Sequence, residues 1–200
     1  MSLNGTGAYE TADDLPPLVE RAVALARDLG FGLSCRPEQG RLLQVLAAGR
    51  AGGVVGETGT GCGVGLAWMA SGADPATHFV SVEVDPGRAV ASAALFADHP
   101  NVTVLAGDWT ALLDHGPFDL LVLDGGGAGK GPEAAVDVTA AVAMGGTVVV
   151  DDFTPMTGWP PTFDGAEDTA RLHWLRHPAL RATEIRLAPD LASVVGTRIR

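Results

Sequence analysis

The sequence predicts a doubly wound α/β fold, Rossmann-like, with a seven-stranded, mostly parallel sheet that ends in an antiparallel hairpin. Short valine-rich runs at 53–56, 79–83, 102–105, 120–123 and 147–150 alternate with alanine-rich helical stretches at 64–71, 87–97, 110–113 and 132–144. The runs are apolar on both faces, as expected of parallel strands covered by helices on either side. Two more strands, 180–187 and 191–199, are separated only by Ala188-Pro189-Asp190. Three residues cannot make a parallel crossover, so these two strands form a hairpin.

The flanking elements follow from local patterns. Behind Asp13-Asp14 and Pro16-Pro17, the residues Leu18, Val19, Ala22, Val23, Leu25, Ala26 and Leu29 recur at helical spacing, which predicts a helix within 13–29. A second helix is expected over 37–48, with Leu42, Leu43, Val45 and Leu46 buried and Gly49 as its stop. After the last parallel strand comes a Pro-rich loop, 154–165, and then a helix at 167–175. No repeat or low-complexity linker divides the chain, so 1–200 reads as a single domain.

Composition narrows the function. The 200 residues are 46% hydrophobic and 18% charged, enough to bury a core, and 24 acidic against 13 basic side chains leave a net charge of −11. A phosphate backbone or an anionic lipid surface would have to bind against that field, so neither nucleic acid nor membrane is an expected partner. The longest largely apolar run, 140–150, is about half of the roughly 20 residues that span a bilayer. Met1-Ser2-Leu3-Asn4-Gly5 has neither the basic nor the apolar region of a secretion signal, and a cytoplasmic location is expected. Cys35 and Cys62 form no CxxC pair and read as free thiols. Of the 13 basic residues, 12 are arginine and one is Lys130.

The first strand runs into Glu57-Thr58-Gly59-Thr60-Gly61-Cys62-Gly63, and a helix begins at Val64. Glycines there let the backbone approach a ligand, and the helix start offers unpaired amides. Twenty residues past Gly63, at the end of the next strand, Glu83 is placed to accept ribose hydroxyls. Loop and acid together imply a nucleotide-type cofactor. The dinucleotide fingerprint would need glycine where Val64 or Leu66 stands, and a P-loop would need glycine at Asp124 and Ser or Thr at Gly131. NAD and ATP are therefore disfavoured.

At this point the chain resembles the class I S-adenosylmethionine-dependent methyltransferases, whose first motif is an acid followed by alternating glycines, as in Glu57-x-Gly59-x-Gly61-x-Gly63. Arg36-Pro37-Glu38-Gln39-Gly40-Arg41-Leu42-Leu43, the run Val148-Val149-Val150-Asp151-Asp152 and the closing hairpin are similar to the metal-dependent catechol and caffeoyl-CoA type O-methyltransferases, over about residues 30–199. The resemblance implies that Gly59, Gly61 and Gly63 line the methionine and ribose portion of S-adenosylmethionine. Glu57 would help hold its amino end, Ser34 would meet its carboxylate, and Glu83 would bind the ribose. Gly107-Asp108-Trp109 would frame the adenine. The domain then divides into N-terminal helices (1–50), a cofactor-binding core (51–152) and a lid loop, helix and hairpin (153–200).

Asp124 ends the fourth strand, and Asp151 and Asp152 end the fifth, so three carboxylates converge at the ligand-binding edge. Such a cluster suits a hard divalent cation such as Mg²⁺. In the family the matching positions carry Asp and then Asp-Asn, and the metal acidifies a substrate hydroxyl. Here Asp152 stands in place of the Asn. The alternative is that the three Asp cap turns and loops. The family also places a lysine three residues after the first metal aspartate, a position held here by Gly127, while Lys130 comes three residues late. As the only lysine, and unlike arginine able to give up its proton, Lys130 is a candidate catalytic base beside Asp124.

The five histidines fall in expected surface positions. Trp159 and Phe163 could wall an aromatic acceptor or pack at a homodimer contact. The expected activity is S-adenosylmethionine-dependent O-methylation of a small hydroxylated molecule, aromatic acceptors included, with a divalent cation. The alternatives are a metal-independent methyltransferase of the same fold and a non-catalytic S-adenosylmethionine-binding module.

Overall fold

The computed structural model describes residues 4–200. Met1, Ser2 and Leu3, part of the stretch read above for a targeting signal, lie outside the described residues. In chain order the elements are a 3₁₀ turn (Thr6–Glu10), α1 (Pro17–Asp28), α2 (Pro37–Ala48), β1 (Val54–Thr58), α3 (Val64–Gly72), β2 (His78–Glu83), α4 (Pro86–Leu95) and β3 (Val102–Ala106). A second 3₁₀ segment (Trp109–His115) leads into β4 (Phe118–Leu123), α5 (Val138–Ala141) and β5 (Val142–Phe153). A short ribbon follows, β6 (Thr162–Phe163) with β7 (Ala166–Glu167), then α6 (Thr169–Leu175), β8 (Leu180–Ala188) and β9 (Leu191–Arg198).

The main sheet has seven strands in the order β3-β2-β1-β4-β5-β9-β8. β3 through β5 are parallel, and the β8–β9 hairpin adds antiparallel to β5. The expected α/β architecture and terminal hairpin are both present. Alternate residues of each strand supply two cores. Val55, Phe79, Leu120, Val122 and Val149 pack under α1, α2 and α3 on one side. Leu121, Leu123, Val148, Val150, Leu112 and Trp174 fill the other. Helix starts carry the capping chemistry that the sequence announces. Pro17, Pro37 and Pro86 sit in first turns, Asp85 accepts the Arg88 amide at 2.8 Å, and Asp168 accepts the Arg171 amide at 2.9 Å.

Two expectations are corrected. The helix expected over 132–144 exists only as the single turn α5. Asp137 caps that turn through the Thr139 amide at 2.8 Å, and the Val136 amide is spent on Gly127 O at 2.8 Å, outside any helix. Val142 pairs with Phe118, so tertiary strand pairing overrides the alanine-rich propensity and β5 is much longer than 147–150. The helix expected from 167 begins at Thr169, because Glu167 pairs with Thr162 in the β6–β7 ribbon inside the segment read as loop. The 3₁₀ turn over Thr6–Glu10 was not anticipated.

Candidate functional site

The strand order reverses between β1 and β4, and the crevice at their C-terminal ends is where open α/β sheets take ligands. A cleft there encloses about 820 Å³ of empty space, its open mouth included. Gly59 and Gly125 meet at its floor. A Cβ on Gly59 would lie 2.5 Å from Gly125 Cα, and Gly59 has φ +84°, so both sterics and backbone conformation demand glycine. Gly61 (φ +54°) lines the cleft, whereas Gly63 (φ +82°) is outside the lining set, facing Phe96, and caps the start of α3.

The remaining expected cofactor residues converge on the same cleft: Ser34, Glu57, Glu83, Gly107, Asp108, Trp109 and Asp124 all line it. Glu57 is buried, accepts the Ser81 hydroxyl at 2.6 Å, and is pushed up to about 8 mainly by burial, the Ser81 bond opposing the rise. A carboxylate desolvated in this way is stabilised by a cationic ligand, and S-adenosylmethionine carries an ammonium and a sulfonium. Glu83 Oε2 accepts the Gly61 amide at 2.8 Å, while Oε1 accepts the Asp85 amide at 2.9 Å and the Arg88 guanidinium at 2.8 and 3.2 Å. Oε2 is thus the oxygen with capacity left for a ribose hydroxyl. Asp108 caps the 3₁₀ segment through the Thr110 amide and hydroxyl, which hold its carboxyl below its ordinary range, and it lines the cleft as well. Ser34 Oγ lies 2.8 Å from Thr6 Oγ1, so the N-terminal 3₁₀ turn orients it.

Three cleft features escaped the sequence reading. Arg88 clasps Glu83 from the first turn of α4 and stacks 5.1 Å from the Phe31 ring centroid, closing one wall. The Asp85-Pro86 helix start, which puts residue 88 back over Glu83, was the available signal. Phe31 rests on the glycine loop, where a Cβ on Gly61 would come within 2.8 Å of its ring. Cys35 and Cys62 also line the cleft; burial raises the Cys35 thiol well above its ordinary value and the Cys62 thiol to about 11. Both remain protonated thiols, poor nucleophiles beside a methyl donor.

At the far side, Leu123 of β4 pairs with Val150 of β5, so Asp124 and Asp151 are the next residues on neighbouring strands. Asp124 is pushed up to about 7, first by burial and then by Asp151. Asp151 is raised by burial against the pull of Lys130. Position 127 disfavours the family's lysine: Gly127 has φ +74°, and a Cβ there would lie 3.1 Å from the Trp109 ring. Lys130 instead turns its ammonium inward from an otherwise exposed residue. It donates to the carbonyls of Asp151 and, at 3.0 Å, of Asp152, and it sits 3.9 Å from the Phe153 ring centroid. Desolvation brings it down to about 8, with Asp151 and Asp124 opposing. Lys130, Asp151 and Asp152 are outside the set that lines the cleft; Asp124 is inside it.

The donor set does not fit the expected three-aspartate metal site. Asp151 Oδ1 accepts the Asp152 amide at 2.7 Å and the Ser193 hydroxyl at 3.1 Å, and the neighbouring positive charge is the Lys130 ammonium. Among the described residues, no group of three or more His, Cys, Asp or Glu side chains is gathered so as to hold a metal ion. The geometry gives no support to Asp124, Asp151 and Asp152 as a joint metal site.

Comparison with known proteins agrees with the cleft. Residues 57–153 match the Methyltransferase domain family, a span that begins at the acid before the glycine loop and ends with β5. The whole chain superposes on the cofactor-bound protein Rv0187 from MTB (TM-score 0.73, 23% identity, 100% of this chain and 99% of that one). It also superposes on the O-methyltransferase TomG from Streptomyces achromogenes in complex with SAM (0.72, 20%, 98% and 96%) and on an O-methyltransferase from Bacillus cereus in complex with SAH (0.71, 16%, 98% and 96%). No curated protein matches by sequence. No helix among the described residues is long and apolar enough to cross a membrane. With its glycine loop, the acid that ends β2 and the strand order all in place around a stretch that matches the Methyltransferase domain family, the chain has the fold of the S-adenosylmethionine-dependent methyltransferases.

Proposed function

We propose that the protein transfers the methyl group of S-adenosylmethionine to a hydroxyl oxygen of a small, hydroxylated acceptor. The observation that carries this reading is the placement of Asp124: its carboxylate lines the cofactor cleft at the end of β4 and is poised at about 7. A base with that affinity suits a phenol or an activated hydroxyl near neutral pH. S-adenosylmethionine, when bound, supplies an electrophilic methyl that oxygen takes in line while sulfur keeps the electrons of the broken C–S bond. Asp124 receives the proton released from the acceptor hydroxyl and later passes it to solvent. Lys130 offsets part of the negative charge at Asp124, and the glycine loop and Glu83 would fix the cofactor so that only the acceptor must be positioned.

Support for oxygen as the nucleophile comes from two neighbours described as O-methyltransferases. The net charge of −11 argues against a nucleic-acid acceptor. A reducing, cytoplasmic setting agrees with the two unpaired cysteines. The direct test is to incubate the protein with S-adenosylmethionine and a panel of phenols, catechols and aliphatic alcohols, and to follow S-adenosylhomocysteine and the methyl ether by mass spectrometry. Turnover that Asp124→Asn suppresses supports the reading. Methylation confined to amines, or none with any hydroxyl acceptor despite cofactor binding, overturns it.

A further inference from the structure

The aspartates at the ends of β4 and β5 pose a charge problem. Asp124 and Asp151 follow directly on the paired residues Leu123 and Val150, so two carboxylates stand side by side in a desolvated setting. Like charges that close require a cation. Among the described residues, the cation that lowers both aspartates is the Lys130 ammonium, and its seat is built rather than incidental. It donates to the Asp151 and Asp152 carbonyls and lies over the Phe153 ring at 3.9 Å. Phe153 also packs 4.7 Å from the guanidinium of buried Arg171, which Asp168 and Glu184 fix at 3.0 and 2.6 Å.

We propose that the Lys130 ammonium is a built-in replacement for a divalent cation, serving as the counter-ion of the Asp124–Asp151 pair and excluding metal from it. This deepens the methyl-transfer reading and rests on it for the reaction, but the exclusion of metal stands on the residues alone. Two sequence facts and one packing contact agree. Lysine is used once against 12 arginines, and it falls here, where a compact ammonium fits a seat that a planar guanidinium does not match. The Asp124–Gly131 loop is glycine-rich, which lets the chain turn Lys130 back under β5. Trp109 crowds the space over Gly127, where φ is +74°, so a lysine at that position would be strained.

The experiment is Mn²⁺ binding to the EDTA-stripped full chain, followed by the electron paramagnetic resonance signal of free Mn²⁺, without any cofactor. The wild type is expected to show no saturable site tighter than about 1 mM, and Lys130→Ala to gain one at least about tenfold tighter as the repelling charge is removed. Lys130→Met, which removes the charge but keeps a long apolar stem over Phe153, is expected to gain the same site and guards against a Lys130→Ala chain that fails to fold. Saturable submillimolar Mn²⁺ binding to the wild type, abolished by Asp124→Asn, overturns the proposal. So does a folded Lys130→Ala that binds Mn²⁺ no better than the wild type. S-adenosylhomocysteine titrated into the same samples separates the two readings, because absent cofactor binding sinks the methyl-transfer reading and leaves the Mn²⁺ result standing by itself.

Discussion

Replacing Gly59 by alanine tests whether the β1 and β4 loops must touch to build the cleft. The new methyl would lie 2.5 Å from Gly125 Cα and 2.6 Å from Gly125 N, both backbone atoms, so no side chain can swing away. Moving the loops apart costs about 1–3 kcal/mol as overpacking, and the φ of +84° adds about 1–2 kcal/mol for a non-glycine residue. The sum, about 2–5 kcal/mol, corresponds to a melting temperature lower by about 4–20 °C in a chain of this size. Gly52 is the control: it has φ +69° but nothing within 4 Å of its Cβ position, so Gly52→Ala bears only the conformational cost and drops by about 2–8 °C. Loop separation also misplaces the amides around the glycine loop. Losing two hydrogen bonds to the cofactor weakens S-adenosylhomocysteine binding by about 1–3 kcal/mol, roughly fivefold to more than a hundredfold. Differential scanning fluorimetry and calorimetry measure both effects. If Gly59→Ala melts no lower than Gly52→Ala and binds S-adenosylhomocysteine like the wild type, the close approach of the two loops is not what shapes the cleft.

Other perturbations address single groups. Glu83→Gln keeps an acceptor for the Gly61 amide but loses the charge-assisted bonds, and calorimetry is expected to find S-adenosylhomocysteine weakened by about 1.5–3 kcal/mol; unchanged affinity would misplace the ribose. Asp124→Asn is expected to lower kcat by about 10²–10⁴ while the protein still binds S-adenosylhomocysteine, and a kcat within threefold of the wild type rules out Asp124 as the base. Glu57 sits at about 8 in the folded state against an ordinary 4.5, so the proton it keeps on folding favours the native state fully below about pH 4.5, and that contribution is lost as pH rises through 8. The melting temperature of Glu57→Gln relative to the wild type should therefore climb from about pH 5 to about pH 9 in the cofactor-free protein, and a flat difference contradicts the assignment. Arg171→Met strands the buried carboxylates of Asp168 and Glu184, for an expected loss of about 3–5 kcal/mol in denaturant unfolding; a loss below about 1 kcal/mol shows that those acids find other partners.

Much of the cleft was legible because its determinants are local. A valine-rich strand followed by spaced glycines and a helix start forces the same turn wherever it occurs, and an acid at the end of the next parallel strand must face it. The terminal hairpin was readable from a three-residue connection. What stayed hidden depends on contacts between distant segments. The alanine-rich stretch 132–144 has helical propensity, yet Val142 is drawn into pairing with Phe118 and Val136 into a bond with Gly127. Spacing places the backbones of the three aspartates at one sheet edge but does not reveal that Asp151 accepts the Ser193 hydroxyl, more than 40 residues away. Lys130 was singled out by its rarity, and its seat under β5 was invisible until Phe153 and the two carbonyls were placed around it. Arg88 was missed because clasping Glu83 from five residues downstream depends on how Asp85 and Pro86 start α4.

The account stands most directly on cofactor binding that needs no metal. Titrating S-adenosylmethionine and S-adenosylhomocysteine calorimetrically into the purified full chain, once with Mg²⁺ and once with EDTA, addresses this in one set of samples. Micromolar binding of both ligands, with affinities the same within about twofold in the two buffers, is the predicted result. No binding in either buffer would contradict the assignment of the cleft to S-adenosylmethionine, and binding that appears only with Mg²⁺ would contradict the charge balance assigned to Lys130.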